Sequence, residues 1–74
     1  MKVNLYDYVK YTTNSHGSGT GIITYIGKYG YTVLSLKTGD TFSYMMDEVL
    51  PHIRNLLAIT SMDELQEKYP ELFI

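Results

Sequence analysis

The chain has 74 residues, a formal net charge of −2 and no cysteine, so disulfide bonds and thiolate metal sites are excluded. A length of 74 residues predicts one domain, and a core of this size supplies about 3–5 kcal/mol of net stability. Eight tyrosines and two phenylalanines compensate in part, because each aromatic side chain buries roughly 150–250 Å². Self-association is the other usual support for a small scaffold, so a homodimer stays open as an alternative to the monomer.

The charge is unevenly distributed along the chain. Residues 1–54 carry five basic and four acidic side chains, whereas residues 55–74 carry one basic and four acidic ones. Binding to a phosphate backbone calls for a clustered basic surface, so nucleic acid is a disfavoured partner. No apolar run in the sequence is long enough for a signal peptide or a membrane span, which predicts a cytoplasmic protein without a membrane partner.

Residues 3–12, VNLYDYVKYT, predict the first strand because their apolar side chains alternate with period two. The apolar residues of one face are Val3, Leu5, Val9 and Tyr11. Asp7 interrupts that face, and Tyr6 and Tyr8 fall on the other face, where we expect them to be exposed. Residues 13–20, TNSHGSGT, are typical of a loop.

Three further strands are predicted, separated by glycine turns. They cover residues 21–26, 31–37 and 41–44, with turns at residues 27–30 and 38–40. β-Branched and aromatic residues dominate these strands, as a pleated surface requires. The predicted core consists of Ile22, Ile23, Ile26, Val33, Leu34 and Leu36.

This order of strands and glycine turns, followed by the acidic-apolar reversal MMDEVLP at residues 45–51, resembles the small SH3-like barrels. In that family a short helical turn after the fourth strand leads into a final strand. The resemblance covers residues 3–54 and implies a mainly β fold, a small SH3-like antiparallel barrel of four to five strands. Many unrelated functions use such barrels, so the resemblance indicates the fold alone. We expect residues 1–54 to form the barrel and residues 55–74 to form a linker, a short helix and an apolar tail of one domain.

Residues 52–59, HIRNLLAI, suit either a helix, with Ile53, Leu56 and Leu57 on one face, or a fifth strand that closes the barrel. We favour a short closing strand or turn that runs into a linker. A short C-terminal α-helix is predicted over residues 61–68. Ser61 and Glu64 fit a capping box at its start. The helix should stop near Tyr69, because the residue before a proline is pushed out of the α region.

Candidate catalytic chemistry is sparse. His16 and His52 lie far apart in a chain without cysteine, so neither a metal site nor a cofactor is expected. Asp47 and Glu48 could in principle serve acid–base chemistry, but adjacent side chains seldom face one site, and a solvated turn is the better interpretation. The sequence orders no Ser-His-Asp set. A protein without catalytic activity is therefore predicted.

The tyrosines offer a candidate binding surface. Six of them are too many for the interior of so small a barrel: Tyr6, Tyr8, Tyr25, Tyr29, Tyr31 and Tyr44. Tyrosine is favoured at interfaces because it combines a large, rigid apolar face with a polar tip. These side chains either cover a thin core from outside or form an aromatic face for a partner, with Tyr6, Tyr8 and Tyr29 as expected contacts. Stacking on single-stranded nucleic acid would call for more basic residues than the chain has, so protein is the favoured ligand.

The apolar end of the chain, YPELFI, is the second candidate surface. It either folds back onto the barrel or is offered to a partner pocket. In the second case the expected contacts are Tyr69, Leu72, Phe73 and Ile74. Leu72 and Phe73 are similar to the end of the short peptide Gln-Leu-x-Leu-Phe that bacterial sliding-clamp ligands carry, although Tyr69 and Pro70 stand where that family has glutamine and leucine.

The small size, the Tyr/Ile/Lys-rich composition and the acidic end resemble phage-encoded proteins that bind and block a host enzyme. The two resemblances imply an inhibitor of a host replication protein, such as the DNA sliding clamp, in the cytoplasm of a bacterial host cell. Leu72 and Phe73 would fill the peptide pocket, and carboxylates would act as a DNA mimic in the path of the phosphates. The acidic surface consists of Asp47, Glu48, Asp63, Glu64, Glu67 and Glu71. The alternatives are a nucleic-acid-binding barrel that uses tyrosine and lysine, and a structural or assembly protein of a phage particle.

Overall fold

A computed structural model describes residues 3–15 and 17–73, which form one antiparallel sheet followed by a short α-helix. The strands are β1 (Tyr8–Thr12), β2 (Ser18–Ile26), β3 (Gly30–Ser35), β4 (Thr41–Met45) and β5 (His52–Ile53). The helix α1 covers Met62–Lys68, and a C-terminal 3₁₀ turn covers Pro70–Phe73. The strand order is β4-β3-β2-β1-β5. The predicted mainly β fold with a short C-terminal helix is confirmed.

The first strand begins later than the sequence pattern predicts. The backbone turns between Asn4 and Asp7, where the Asp7 amide donates to the Asn4 carbonyl at 3.2 Å and Tyr6 has a φ of 67°. The Asn4 amide in turn donates to the Asp7 carboxylate at 2.9 Å. The prediction that Leu5 shares the buried face was wrong, because this turn leaves Leu5 exposed. β2 also begins at Ser18, inside the predicted loop.

A β-bulge in β2 decides which side chains reach each face of the sheet. Ile23 pairs with Val33, but the next pair is Tyr25 with Thr32, so Thr24 is an extra residue. Because one inserted residue reverses the alternation of side chains, Tyr25 returns to the face that carries Ile22. We call the face with Ile23 and Val33 the inner face and the face with Ile22 and Tyr25 the outer face.

The sheet is curved, so the side chains of its inner face pack against one another. Its buried cluster consists of Val3, Val9, Tyr11, Ile23, Tyr31 and Val33. The rings of Tyr11 in β1 and Phe42 in β4 lie 5.1 Å apart between centroids. In a flat sheet these two strands would be about 14 Å apart, because neighbouring strands are spaced about 4.8 Å. The sheet is therefore strongly curved.

One half of the outer face is covered by the C-terminal segment. Ile22 and Leu34 form a buried cluster with Ile59 and with Leu65 of α1. The Ser61 hydroxyl caps this helix by accepting from the Glu64 amide at 3.2 Å, as the capping-box pattern predicts. Residues 55–73 are thus packed into the same core as the sheet.

The expected short closing strand is present at the start of residues 52–59. Its two residues, His52 and Ile53, pair antiparallel with β1. The chain then turns through Asn55 and Ala58, both with positive φ. This turn carries the backbone from the sheet edge to the buried Ile59 beneath the helix.

Candidate functional site

The other half of the outer face is open. Tyr25 of β2, Thr32 of β3 and Ser43 of β4 are cross-strand partners in one row, so their side chains share this face. A groove of ≈ 430 Å³ lies along the row towards the β2–β3 turn. We call it the tyrosine groove; the lining side chains that define it are Tyr25, Tyr29, Thr32, Ser43, Met45 and Glu48.

Three large side chains of the tyrosine groove are directed to solvent. The exposed fraction is 64% for Tyr25, 72% for Tyr29 and 60% for Met45. Single exposed apolar residues are ordinary, whereas a contiguous exposed group of large side chains marks an interaction surface. The Lys28 ammonium lies 5.4 Å from the centre of the Tyr29 ring, a cation–π contact that places one positive charge at the rim.

Backbone hydrogen bonds hold the groove in shape. The Gly27 amide donates to the Gly30 carbonyl at 2.8 Å and closes the β2–β3 turn, while the Met46 amide donates to the Tyr29 carbonyl at 2.9 Å. The Tyr31 hydroxyl donates to the Glu48 carbonyl and so holds the turn that carries Asp47 and Glu48 from the inner side. Gly30 is required where β3 meets β4, because a Cβ there would overlap the Tyr44 carbonyl oxygen.

Two tyrosines on the inner face lie beneath the groove. The rings of Tyr31 and Tyr44 stack with centroids 5.8 Å apart. The pKa of Tyr31 is raised: burial has the largest effect, a backbone hydrogen bond at Leu50 opposes it, and the nearby Glu48 charge adds to it. Burial also raises the pKa of Tyr44, with a smaller contribution from Tyr31. Both hydroxyls therefore stay protonated, and the two side chains beneath the groove are uncharged.

The groove carries negative charge at one end. Glu48 is the charged side chain among its described lining residues, and the neighbouring Asp47 is exposed. The Glu48 carboxylate also accepts from the Met45 amide at 3.3 Å, which holds it at the end of β4. A ligand with an apolar side chain and a neighbouring positive charge would match this arrangement.

The partner-binding residues proposed from the sequence do not lie on one surface. Tyr29 and Glu48 line the groove, and Asp47 is the exposed neighbour of Glu48 in the chain. Tyr6, Tyr8 and Tyr69 are half-buried and pack against the cluster beneath α1.

The C-terminal residues also lie against the protein. Leu72 is half-buried, and its carbonyl oxygen lies 3.1 Å from the position that a Cβ on Gly39 would occupy. The tail is therefore docked on the β3–β4 turn. Phe73 is 37% exposed, and Ile74 lies outside the described residues. The proposed acidic residues on and after α1 are exposed: Asp63, Glu64, Glu67 and Glu71.

The groove residues that the sequence-based site omitted are Tyr25, Thr32, Ser43 and Met45, although Tyr25 was one of the six tyrosines of the candidate aromatic surface. An unbroken alternation would have placed Tyr25 on the inner face, and the bulge at Thr24 reverses this. The alternating TFSYM of β4 was a usable signal for Met45, since its exposed positions are Thr41, Ser43 and Met45.

The remaining polar groups do not assemble a metal centre within residues 3–15 and 17–73. No group of three or more His, Cys, Asp and Glu side chains there could hold a metal ion. The His52 ring is hydrogen-bonded to the Leu50 carbonyl at 2.9 Å, and His16 lies outside the described residues. Asp7 is buried with one carboxylate oxygen lacking a hydrogen-bond partner, a group that an ordered water commonly satisfies.

Comparisons with known proteins do not assign the chain to a family. No protein-family model, curated protein or solved structure matches it. Across the described ranges, no helix has the length and apolar character needed to cross a membrane.

Proposed function

We propose that the chain is a non-catalytic protein-binding module that holds a segment of another protein in the tyrosine groove. The observation that carries this proposal is the contiguous exposure of Tyr25, Tyr29 and Met45 on a hydrogen-bonded hairpin. Aromatic side chains on a rigid scaffold provide a large contact area with little loss of conformational entropy. Burying these three side chains under a partner is a sufficient driving force for weak, specific binding.

The charge of the groove defines the chemistry of the partner. Glu48 and Asp47 favour a segment that combines apolar side chains with lysine or arginine. A single-stranded nucleic acid would instead need several basic side chains beside the stacking rings. Among the described residues, Lys28 is the one cation recorded against an exposed groove ring, so the geometry favours protein over nucleic acid.

A displayed library of random peptides tests the proposal. The wild-type protein should enrich sequences that combine apolar and basic residues, and the double variant Tyr25→Ala/Tyr29→Ala should lose that enrichment. Leu56→Ala is the matched control, because Leu56 is exposed outside the groove. Equal enrichment by the double variant would refute the groove as the binding surface. Binding of single-stranded oligonucleotides that weakens steeply with salt would favour the nucleic-acid alternative.

We also infer that the curved sheet is a partly open SH3-like barrel. The strand order with β1 between β2 and β5 suits that architecture. The Tyr44 hydroxyl of β4 donates to the Thr12 carbonyl of β1 at 3.4 Å, and the Tyr11–Phe42 ring contact lies on the same side. Nuclear Overhauser contacts between the Tyr11 and Phe42 rings in solution would support this curvature, and their absence would contradict it.

A second candidate function is the inhibition of a host replication protein such as the bacterial sliding clamp. Its specific support is the exposure of Phe73 beside the exposed carboxylate of Glu71. Leu72 would have to leave the β3–β4 turn to enter a partner pocket, whereas Phe73 is already accessible. The acidic side chains of α1 would add a negative surface facing the path of DNA.

Surface plasmon resonance with a purified bacterial sliding clamp tests this second candidate. The wild-type chain should bind, and Phe73→Ala should weaken binding by about tenfold or more, which corresponds to the loss of one buried aromatic contact. Tyr29→Ala should leave clamp binding unchanged. Failure of the wild-type chain to bind would remove the candidate without affecting the groove proposal.

A further inference from the structure

The free edge of β4 runs along the tyrosine groove. We propose that the partner segment binds in extended conformation, pairing its backbone with β4 through Ser43 while its side chains enter the groove. This inference rests on the proposed protein-binding function and specifies how the partner is held.

The strand order places β4 at an edge of the sheet. Among the described residues, β4 pairs with β3 on one side only. An edge strand presents unpaired amide and carbonyl groups to solvent and is a template for pairing with another chain. Addition of a strand to such an edge is an established mode of peptide recognition.

Hydrogen bonds on either side of β4 show which of its backbone groups face outward. The Ser35 amide donates to the Asp40 carbonyl, and the Met46 amide donates to the Tyr29 carbonyl, so even-numbered positions face β3. Because backbone direction alternates along an antiparallel strand, the odd-numbered positions of β4 face outward. The Met45 amide confirms this alternation, since its acceptor is the Glu48 carboxylate and not a residue of β3.

Ser43 is therefore the centre of the free edge. It is exposed, and the described residues provide no backbone partner for its outward amide and carbonyl. Its side chain continues the row that begins with Tyr25 and Thr32. A residue paired with Ser43 from an added strand would have its Cβ roughly 4.5–5.5 Å from that of Ser43, and its side chain would extend the same row into the groove.

The charges around β4 favour a basic partner over a second copy of this chain. Asp40 precedes the strand, and Asp47 and Glu48 follow it. In an antiparallel pair of two copies centred on Ser43, the Asp47 end of one copy would meet the Asp40 end of the other. In that register Asp47 of each copy would lie opposite Gly39 and next to Asp40 of the other copy, and carboxylates this close repel each other. A segment with apolar residues facing the groove and lysine or arginine near Glu48 meets no such repulsion.

Parallel selections from a displayed library of random peptides, on wild-type protein and three variants, test the inference. Ser43→Pro removes the outward amide, and proline is tolerated on edge strands where that amide faces solvent. Ser43→Ala is the matched control because it keeps the backbone groups. We expect wild-type and Ser43→Ala proteins to enrich the same apolar-basic sequences, and Ser43→Pro to lose about tenfold or more of that enrichment.

The outcomes separate the mode of binding from the function itself. If Ser43→Pro keeps the enrichment while Tyr25→Ala/Tyr29→Ala loses it, strand pairing is refuted and the groove proposal stands. If the wild-type protein enriches nothing, both are refuted. Concentration-dependent dimerisation that Ser43→Pro abolishes would assign the edge to a second copy and overturn the inference.

Amide hydrogen exchange supplies a test that does not depend on the folding of a variant. When the wild-type protein is saturated with a peptide selected on it, the Ser43 amide should exchange about tenfold or more slowly, because it then donates to the added strand. The Phe42 amide faces β3 and is the internal reference. An unchanged Ser43 exchange rate in the saturated complex would overturn strand pairing.

Discussion

The two halves of the outer sheet face belong to the same strands but have opposite surroundings. The half with Ile22 and Leu34 is sealed by Leu65 of α1, whereas the half with Tyr25, Thr32 and Ser43 is open to solvent. The sealed half uses aliphatic side chains, which gain stability only when water is excluded. The open half uses hydroxyl-bearing and aromatic side chains, which tolerate water and can still bury apolar area under a partner.

Element length explains why only half of the face is covered. α1 has seven residues, which makes it about 10 Å long at about 1.5 Å per residue. β2 has nine residues and runs for about 30 Å at about 3.3 Å per residue. A helix of this length covers one end of the sheet, so the other end is left for a different role.

The largest effect is expected from removing the anchor of the sealed half. Leu65 is fully buried, and Leu65→Ala should destabilise the protein by about 2–5 kcal/mol. That loss is comparable to the whole stability of a chain this small, so the variant should be largely unfolded in urea titrations monitored by circular dichroism. Leu56→Ala, at an exposed leucine of the same segment, should change stability by no more than about 0.5 kcal/mol. A similar loss of stability in the two variants would show that the packing of α1 on the sheet does not stabilise the fold.

A methyl group at Gly30 should disturb the open half through its backbone. Gly30→Ala places a Cβ against the Tyr44 carbonyl oxygen, and forcing β3 away from β4 should cost about 1–3 kcal/mol. Gly27→Ala is the matched control, since its Cβ would meet the ring edge of the exposed Tyr25 at 3.1 Å and that ring can move. Urea midpoints measure the difference. Equal midpoints for the two variants would contradict the close approach of the strands at Gly30.

Two serines, one in each half, provide a finer comparison. Ser61→Ala removes the acceptor of the Glu64 amide. It should lower the free energy of unfolding by about 1 kcal/mol, the typical effect of losing an N-cap. Ser43→Ala lies on the open edge and should change stability by less than about 0.5 kcal/mol. Thermal unfolding of both variants measures this difference. A larger loss of stability for Ser43→Ala would show that the Ser43 side chain at the edge of β4 stabilises the fold.

Alkaline pH should destabilise the protein through Tyr31 and Tyr44, the two inner-face tyrosines beneath the open half. The pKa of Tyr31 and of Tyr44 is raised above the ordinary value of 10.0, chiefly by burial. Above that pH the unfolded chain loses protons that the folded chain retains, so stability is complete below pH 10.0 and falls as pH rises towards the folded-state pKa values. Urea midpoints between about pH 8 and about pH 11 measure the fall. Tyr44→Phe should make the curve shallower, and an identical slope in that variant would contradict the assignment.

The sequence predicts the strands and the helix well, but it does not predict which large side chains are exposed on the open half. Alternation and glycine turns located β2, β3 and β4, and the Ser61–Glu64 pattern located α1, because these signals are local. The position of Tyr25 depends on the bulge at Thr24, which no local pattern marks. The sequence left open whether the apolar tail folds back or is offered to a partner, because it cannot show that Leu72 packs beside Gly39. Exposure depends on the folded structure, and a tyrosine side chain can be either buried or exposed.

A small effect on stability is expected at Tyr29, at the rim of the open half. The Tyr29 side chain is largely exposed, and its packing contribution is the cation–π contact with Lys28, so Tyr29→Ala should change the free energy of unfolding by no more than about 0.5–1 kcal/mol. The Tyr29 carbonyl still accepts from the Met46 amide in the variant, because that bond involves the backbone alone. Peptide capture should nevertheless fall by about tenfold or more if the ring is a principal contact. Unfolding and peptide binding measured on the same sample separate the two roles. Lost binding with an unchanged unfolding midpoint would identify the ring as part of a binding surface, whereas a strongly lowered midpoint would place Tyr29 among the residues that hold the fold together.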